Sequence, residues 1–365
     1  MVDRSKRAFL EACSFGIVAT VGITAGCRGG EGMPKGTENP RLSDDSSESD
    51  GGESMADTFE PAYLALHKSG ELKKRGEALR DMMKECRLCP RECGVNRLEG
   101  ETGFCRATSQ LEVSSYNPHF GEEAPLVGHG GSGTIFMTHC GLRCVFCINW
   151  EISHEGRGQE RSIQDLALMM LALKNIGCHN INIVTPTHYS PHVVLALDFA
   201  AENGLRLPLV YNTCGWERTE ILKMLDGIVD IYLPDFKYAD SRMAAKYSAN
   251  AATYPEVTKA ALIEMNRQVG VAKPAGDGVM YRGLMIRHLV MPNNVSGSNE
   301  VMKWIAGNLP KDTYVNIMSQ YRPMHRAKEF EDIDRRITRK EYRDVVDTAR
   351  KAGLTNLDVQ GYSLF

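Results

Sequence analysis

GTIFMTHCGLRCVFCINW, residues 133–150, decides how the rest of the chain is read. Its first six residues are a β-rich apolar run. A loop follows that carries Cys140, Cys144 and Cys147 in the spacing C-x3-C-x2-C, with no fourth cysteine nearby. Further runs of the same kind recur downstream: NINIVT at 180–185, PLVYNT at 208–213, VDIYLPD at 229–235, GLMIRHLVMP at 283–292, YVNIMS at 314–319 and NLDVQ at 356–360. Helical patterns separate them. In SIQDLALMMLALKNIG, residues 162–177, Ser162 reads as the N-cap, Asp165 as the third helical residue and Gly177 as the stop. Residues 190–204 and 218–227 also stop at glycine, and 298–308 and 338–353 follow the later runs. Strand and helix in alternation argue for a parallel sheet with crossover helices. A barrel and an open doubly wound sheet both satisfy that pattern.

In either fold the loop after a strand's carboxyl end is where ligands bind. Thiolates favour zinc or an iron–sulfur cluster. Structural zinc takes four protein ligands, whereas a four-iron cluster can be held by three thiolates with one iron left open. The three-cysteine loop therefore reads as the seat of a cluster with a vacant position for chemistry.

A second group, Cys86, Cys89, Cys93 and Cys105, is spaced C-x2-C-x3-C-x11-C. Four thiolates saturate either zinc or a cluster, so this segment reads as a closed metal site, structural or electron-relaying. Two disulfides are the alternative for an exported chain. The chain has 11 cysteines, an odd number that rules out full disulfide pairing, and Cys178 and Cys214 read as small buried hydrophobes without cysteine neighbours. The net charge of −3 gives no reason to expect nucleic acid as a partner.

The first residues have a different character. Lys6 and Arg7 precede a weakly apolar stretch that ends in Thr24, Ala25, Gly26 and Cys27. SKRAFLE resembles a twin-arginine export signal, and small residues before a cysteine resemble a lipoprotein cleavage site with Cys27 as the lipid anchor. Residues 28–56, rich in Gly, Ser, Asp and Glu, read as a flexible linker. The expected organisation is an export signal at 1–27, a linker at 28–56, a helical and four-cysteine segment at 57–120, and the α/β domain at 121–365. A membrane-anchored location follows from that signal, with a cytoplasmic one as the alternative.

The loop after the first strand, with Phe146 between its last two cysteines, resembles the signature of the radical S-adenosylmethionine superfamily. CRLCPRECGVNR (86–97), the stretch 121–153, NINIVTPTHY (180–189), LVYNTCGWE (209–217), YLPDFKY (232–238) and NIMSQYRP (316–323) together resemble the branch related to the pyruvate formate-lyase activating enzyme. The resemblance covers residues 59–365. It implies a partial (β/α)6 barrel with a cysteine-rich N-terminal extension. It also implies a 4Fe-4S cluster on Cys140, Cys144 and Cys147 and S-adenosylmethionine on the open iron. One electron from the cluster would cleave the cofactor to methionine and a 5′-deoxyadenosyl radical that abstracts hydrogen. Partners of such an enzyme would be a flavodoxin- or ferredoxin-like reductant and, for an activase, a protein substrate.

Many members carry Gly-Gly-Glu after the second strand. VTPTHYSP, residues 184–191, stands there instead, which makes Thr185, Thr187 and His188 the candidate cofactor contacts. Asn212, Asp235 and Lys237, at later strand ends, and Arg287 in the fifth strand complete the candidates, with Gln320 and Arg322 expected in the substrate pocket. An electron carrier or sensor without turnover is the alternative function.

Overall fold

The computed structural model describes residues 59–360. The expected signal at 1–27, the Cys27 anchor and the whole of the expected linker at 28–56 lie outside them. Among the described residues no helix is long and apolar enough to cross a membrane.

Two helices open the described part of the chain, α1 (Tyr63–Lys68) and α2 (Glu71–Asp81). Gly70 lies between them at φ 75°, a left-handed turn that breaks one helical pattern into two. The four-cysteine segment leads to β1 (Leu111–His119) and the short helix α3 (Ala124–Val127). Then come β2 (Ser132–Met137), α4 (Trp150–Ser153), β3 (Gln159–Arg161) and α5 (Ile163–Ile176). Ser162 and Asp165 form the expected capping box of α5, and Gly177 ends it in the left-handed conformation.

The series continues with β4 (Ile181–Val184), α6 (Ser190–Glu202), β5 (Leu209–Thr213), α7 (Thr219–Met224) and β6 (Ile231–Pro234). After it come α8 (Ser241–Tyr247), α9 (Tyr254–Val269), β7 (Gly283–Leu289) and α10 (Ser298–Asn308). The last elements are β8 (Tyr314–Met318), α11 (Arg339–Lys351) and β9 (Leu357–Val359).

These strands make one nine-stranded sheet in the order β3-β1-β2-β4-β5-β6-β7-β8-β9. From β2 to β9 every neighbouring pair is parallel, and β1 and β3 are antiparallel additions at one edge. All seven β-rich runs read from the sequence are strands of the parallel part.

Alternation along each strand shows that the sheet curls. Val210, Ile231, Leu233, Met285 and Tyr314 pack with Leu126 of α3 in a small cluster. Their neighbours Tyr211, Tyr232, Leu284, Ile286 and Val315 belong to the large core under the helices. One face of the sheet thus carries the helices. The other wraps around a plug made by α3. The six strands β2, β4, β5, β6, β7 and β8 form the partial (β/α)6 barrel that the resemblance implies, and β9 adds a seventh parallel strand.

The described part of the expected segment 57–120, from Phe59 on, is built into this body. Its β1 pairs with β2, and α2 packs along α6. Gly76 of α2 meets Leu195 so closely that an added Cβ would lie 2.7 Å from the leucine side chain.

Candidate active site

The carboxyl ends of the parallel strands surround a cavity of about 410 Å³. Cys140, Cys144 and Cys147 line one side of it, and Thr185, Asn212, Asp235, Lys237 and Arg287 line the other. Gln320 and Arg322 stand at its margin.

The three-cysteine loop is held in an unusual backbone. His139 and Arg143 have φ of 64° and 50°, conformations that cost a non-glycine residue roughly 1–2 kcal/mol each. Tertiary bonds hold them there: the His139 amide donates to the Ile152 carbonyl at 3.0 Å, and the Val145 amide to that of Tyr247 at 2.9 Å. Phe146 is buried edge-on between Tyr238 and Tyr321, a wedge beneath the loop rather than a contact with solvent.

Each sulfur has a polar neighbour. The Leu142 amide donates to Cys140 Sγ at 3.4 Å, and Ser248 Oγ donates to Cys144 Sγ at 3.2 Å. Cys147 Sγ lies 3.2 Å from Ser153 Oγ. Burial pushes the Cys144 thiol up to about 12 and raises that of Cys147. Cys140 differs. A hydrogen bond from the Cys214 thiol, with help from the Arg143 and Leu142 amides, overcomes burial and brings it down to about 6.

Cys214 corrects the sequence reading. It follows β5 directly, lines the same cavity and pairs with Cys140. The curl of the barrel brings the loops after β2 and β5 together although β4 separates the two strands. Its position immediately after a strand's carboxyl end was the available signal. Cys178 is buried in the helix-side core.

Across the cavity, charged side chains form a connected set. Lys237 Nζ donates to Asp235 Oδ2 at 2.6 Å, and Arg287 Nε lies 3.4 Å from Asp235 Oδ1. Arg287 also donates to Asn212 Oδ1 at 2.5 Å and pairs with Glu122 at 3.3 Å. Burial alone would raise the Asp235 carboxyl, but the two cations hold it below the usual carboxylate range. Burial likewise works against Lys237, yet the charges of Asp235 and Cys144 keep its ammonium protonated. Of the adjacent pair in β7, Arg287 faces inward. His288 is fully buried on the other side, against the Phe236 carbonyl at 2.6 Å and Ser298 Oγ at 2.8 Å.

The segment after β4 divides. Thr185, at φ 62°, donates its amide to the Asn212 carbonyl at 2.8 Å and lines the cavity. Pro186 then starts a 3-10 turn that carries the next two residues away from it. Thr187 Oγ1 donates to the buried carboxylate of Glu217, which also accepts from Thr213. His188 Nε2 contacts the Thr138 carbonyl at 2.8 Å, and its own carbonyl accepts from Arg97 at 2.8 Å. Thr187 and His188 therefore brace the floor and are not among the lining residues.

The upstream segment lies against the three-cysteine loop. Cys86 pairs its backbone with Val95 and Gly94, and Gly94 takes a φ of 70°, as its place in a tight turn requires. Cys89 and Cys105 are raised, first by burial and then by the charges of the other cysteines of the segment. An added Cβ on Gly141 would lie 3.5 Å from Cys89 Sγ. Arg91 ties the two segments together. It donates to the Gly141 carbonyl at 2.9 Å and to that of Ser248 at 3.3 Å, and is sandwiched by Phe104 and Trp216.

Three soft donors on one cavity wall, hydrogen bonds directed at their sulfurs and buried cations nearby suit an iron–sulfur cluster. The opposite wall offers cations and a carboxylate for an amino-acid ligand. Among the described residues no three His, Cys, Asp or Glu side chains converge on a position for a single metal ion.

The Radical SAM superfamily model matches residues 134–272, from β2 through the three-cysteine loop to the end of α9. An uncharacterised protein of Methanocaldococcus jannaschii is 31% identical over 307 residues, covering 82% of this chain and 84% of that one. Among solved structures, a radical SAM methyltransferase from Sphaerobacter thermophilus aligns at 13% identity and TM-score 0.45, over 62% of this chain and 65% of its own. The chain thus spans just under two thirds of that methyltransferase. A methylornithine synthase aligns at 11% identity and TM-score 0.41 over 84% of each chain. The chain belongs to the radical S-adenosylmethionine superfamily.

Proposed function

We propose that this protein is an enzyme that cleaves S-adenosylmethionine reductively and abstracts hydrogen from a substrate held inside the barrel. The observation that carries this reading is the single cavity that places Cys140, Cys144 and Cys147 opposite Asp235, Lys237 and Arg287. When bound, the cluster supplies a low-potential electron and an iron without a protein ligand.

The chain's own residues do the rest. Cys140, Cys144 and Cys147 hold the cluster. Lys237 and Arg287 present cationic donors to a carboxylate, and Asp235 presents an acceptor to an ammonium group. Thr185 lies in the segment where many members of the superfamily carry Gly-Gly-Glu. Phe136 and Leu142 give the cavity its apolar wall, which excludes water and suits a flat adenine ring.

The four-cysteine segment we assign to a second, closed iron–sulfur centre rather than zinc, because no three of its side chains converge on a position for a single ion. Its contact with the three-cysteine loop through Arg91 and Gly141 supports an electron-relay role. A partner protein is also part of the proposal. Phe120 and Ile148 are 64% and 63% exposed and flank residues that line the cavity mouth. Large apolar side chains exposed beside a mouth favour docking, either of a flavodoxin- or ferredoxin-like reductant or of a protein substrate of the activating-enzyme kind. Membrane anchoring through Cys27 stays a proposal on the sequence alone.

The test is anaerobic reconstitution of the full chain with iron and sulfide, followed by dithionite and S-adenosylmethionine. Formation of 5′-deoxyadenosine and methionine supports the reading. A chain loaded with cluster that yields neither, with and without a candidate partner, favours the carrier or sensor alternative.

A further inference from the structure

Arg97, the last residue of CRLCPRECGVNR, is 0% exposed. The Thr108 carbonyl accepts from its Nε at 3.1 Å and its Nη2 at 2.7 Å, and the His188 carbonyl accepts from its Nη1 at 2.8 Å. Nη1 also stands 3.9 Å from Cys86 Sγ, and the guanidinium carbon lies 5.9 Å from the centre of the Tyr189 ring.

These carbonyls satisfy the hydrogen bonds of Arg97 but not its charge. Among the described residues it forms no ion pair with a carboxylate. The other buried cations differ: Lys237 has Asp235, and Arg287 has Asp235 and Glu122. A guanidinium does not escape burial by losing its proton. A buried charge without a counter-charge is strongly destabilising.

The missing anion lies beside it. Cys86 supplies a sulfur next to Nη1. Burial raises the Cys105 thiol, and the charge of Arg97 is the chief influence against that rise, followed by a backbone hydrogen bond from Ala107. As thiols these groups are neutral, but as thiolates on a metal centre they supply the counter-charge. The segment leaves room for such a centre. Gly103 has no side chain where an added Cβ would lie 2.4 Å from Cys93 Sγ.

An iron–sulfur core on four thiolates carries one more negative charge than the same core on three. It is therefore harder to reduce, since net charge is one of the levers on cluster potential. A single buried cation beside it offsets that unit. We propose that Arg97 is the counter-cation of the four-cysteine centre and raises its reduction potential, so that one electron passes readily between it and the three-cysteine cluster. The proposal rests on the reading of this segment as an iron–sulfur centre and adds the residue that regulates it. The step is a one-electron exchange: the closed centre is oxidised as the open cluster is reduced, and a ferredoxin- or flavodoxin-like reductant refills the first. Arg97 acts through the closed centre and touches no substrate.

The test is a redox titration of the full-length, iron-loaded protein followed by electron paramagnetic resonance. The closed centre is read from the component that Cys89→Ala alters and S-adenosylmethionine leaves unchanged. Arg97→Gln is expected to shift its reduction equilibrium at least tenfold toward the oxidised form, about 59 mV for one electron. Arg97→Lys keeps the charge and is expected to stay within about threefold of the parent chain. Arg97→Met, with an apolar stem to pack against Tyr189, serves as the neutral variant if the glutamine variant does not fold. Loss of the closed centre's iron from the neutral variants, with iron kept in Arg97→Lys, supports the proposal equally, because an anionic centre without its counter-charge is weakened. An unchanged potential in a neutral variant that keeps its iron, an equal fall in Arg97→Lys, or iron lost equally from all the variants would overturn it. A parent chain that holds no iron beyond that of the three-cysteine loop would refute the second centre itself, and the proposal with it.

Discussion

The Cys214 thiol, an S–H donor, shares a cavity with Cys140, the first cysteine of the loop, and their interaction lowers Cys140 and raises Cys214. Hydrogen bonds to cluster sulfurs are one of the protein's means of setting reduction potential. Removing this donor in Cys214→Ala should leave the iron content unchanged and lower the potential. A hydrogen bond worth about 0.5–1.5 kcal/mol sets the scale, at up to about 60 mV for one electron. Cys140→Ala should instead lose iron. Redox titration followed by electron paramagnetic resonance reads both. An iron loss in Cys214→Ala equal to that in Cys140→Ala would make Cys214 a ligand.

Arg91 holds the two cysteine segments in register. Its guanidinium satisfies two backbone carbonyls, on Gly141 and Ser248, and lies between two aromatic rings. Arg91→Ala should destabilise the fold by about 2–4 kcal/mol, since buried carbonyls lose their donor and the cation–π contacts vanish. Arg91→Lys should recover only part, because an ammonium cannot reproduce the planar fork. Urea denaturation monitored by circular dichroism checks both variants.

Gly215 sits at φ 79°, and an added Cβ would lie 1.9 Å from the Asp235 carbonyl oxygen. No side chain fits there without moving β6 away from the loop after β5. Gly215→Ala should cost at least about 2 kcal/mol and shift Cys214 and Asp235 together. The expected signature is a lower urea midpoint accompanied by weaker S-adenosylmethionine binding.

Much of this was legible in the sequence. The alternation of apolar runs and capped helices located all seven parallel strands because each obeys a local rule: β-rich run, turn residue, N-cap, glycine stop. The strands β1 and β3 were not legible. The stretch 111–119 contains Pro118 and is largely polar, and its strand form depends on pairing with β2. Helix α9 was missed as well. Its buried face mixes Thr258, Glu264 and Gln268 with apolar residues, so tertiary partners rather than hydrophobic periodicity hold it. The site divides along the same line. Thr185, Asn212, Asp235 and Lys237, expected at strand ends, line the cavity, whereas Cys214, also at a strand end, was read as a buried hydrophobe. Thr187 and His188 turn away because of the backbone that Pro186 starts, and Glu122 reaches the site from a segment that crosses beneath the barrel.

Glu341 gives the fold a pH dependence at the far end of the chain. It accepts from Arg335, from the amide and hydroxyl of Thr338 and from the Asn293 amide. Arg335 chiefly, then Thr338 and Asn293, pull its carboxyl down to about 2 from an ordinary 4.5, against the effect of burial. A depressed folded value means the stabilisation is complete above about 4.5 and disappears as the pH falls through 2. After allowance for solvent screening it amounts to about 1 kcal/mol. Glu341→Gln should therefore lower the melting temperature at pH 7, and the gap to the parent chain should close between pH 5 and pH 2. A gap independent of pH would show that the charge is not what Glu341 contributes.

The central claim is that Cys140, Cys144 and Cys147 hold a cluster with one iron left open to S-adenosylmethionine. The most direct measurement is the electron paramagnetic resonance spectrum of the reduced, fully iron-loaded protein before and after the cofactor is added. The spectrum should change on addition, and the Cys144→Ala variant should lose iron and show no change when the cofactor is added. An unchanged spectrum from a chain that holds its full cluster would mean that no iron is open, and would contradict the account.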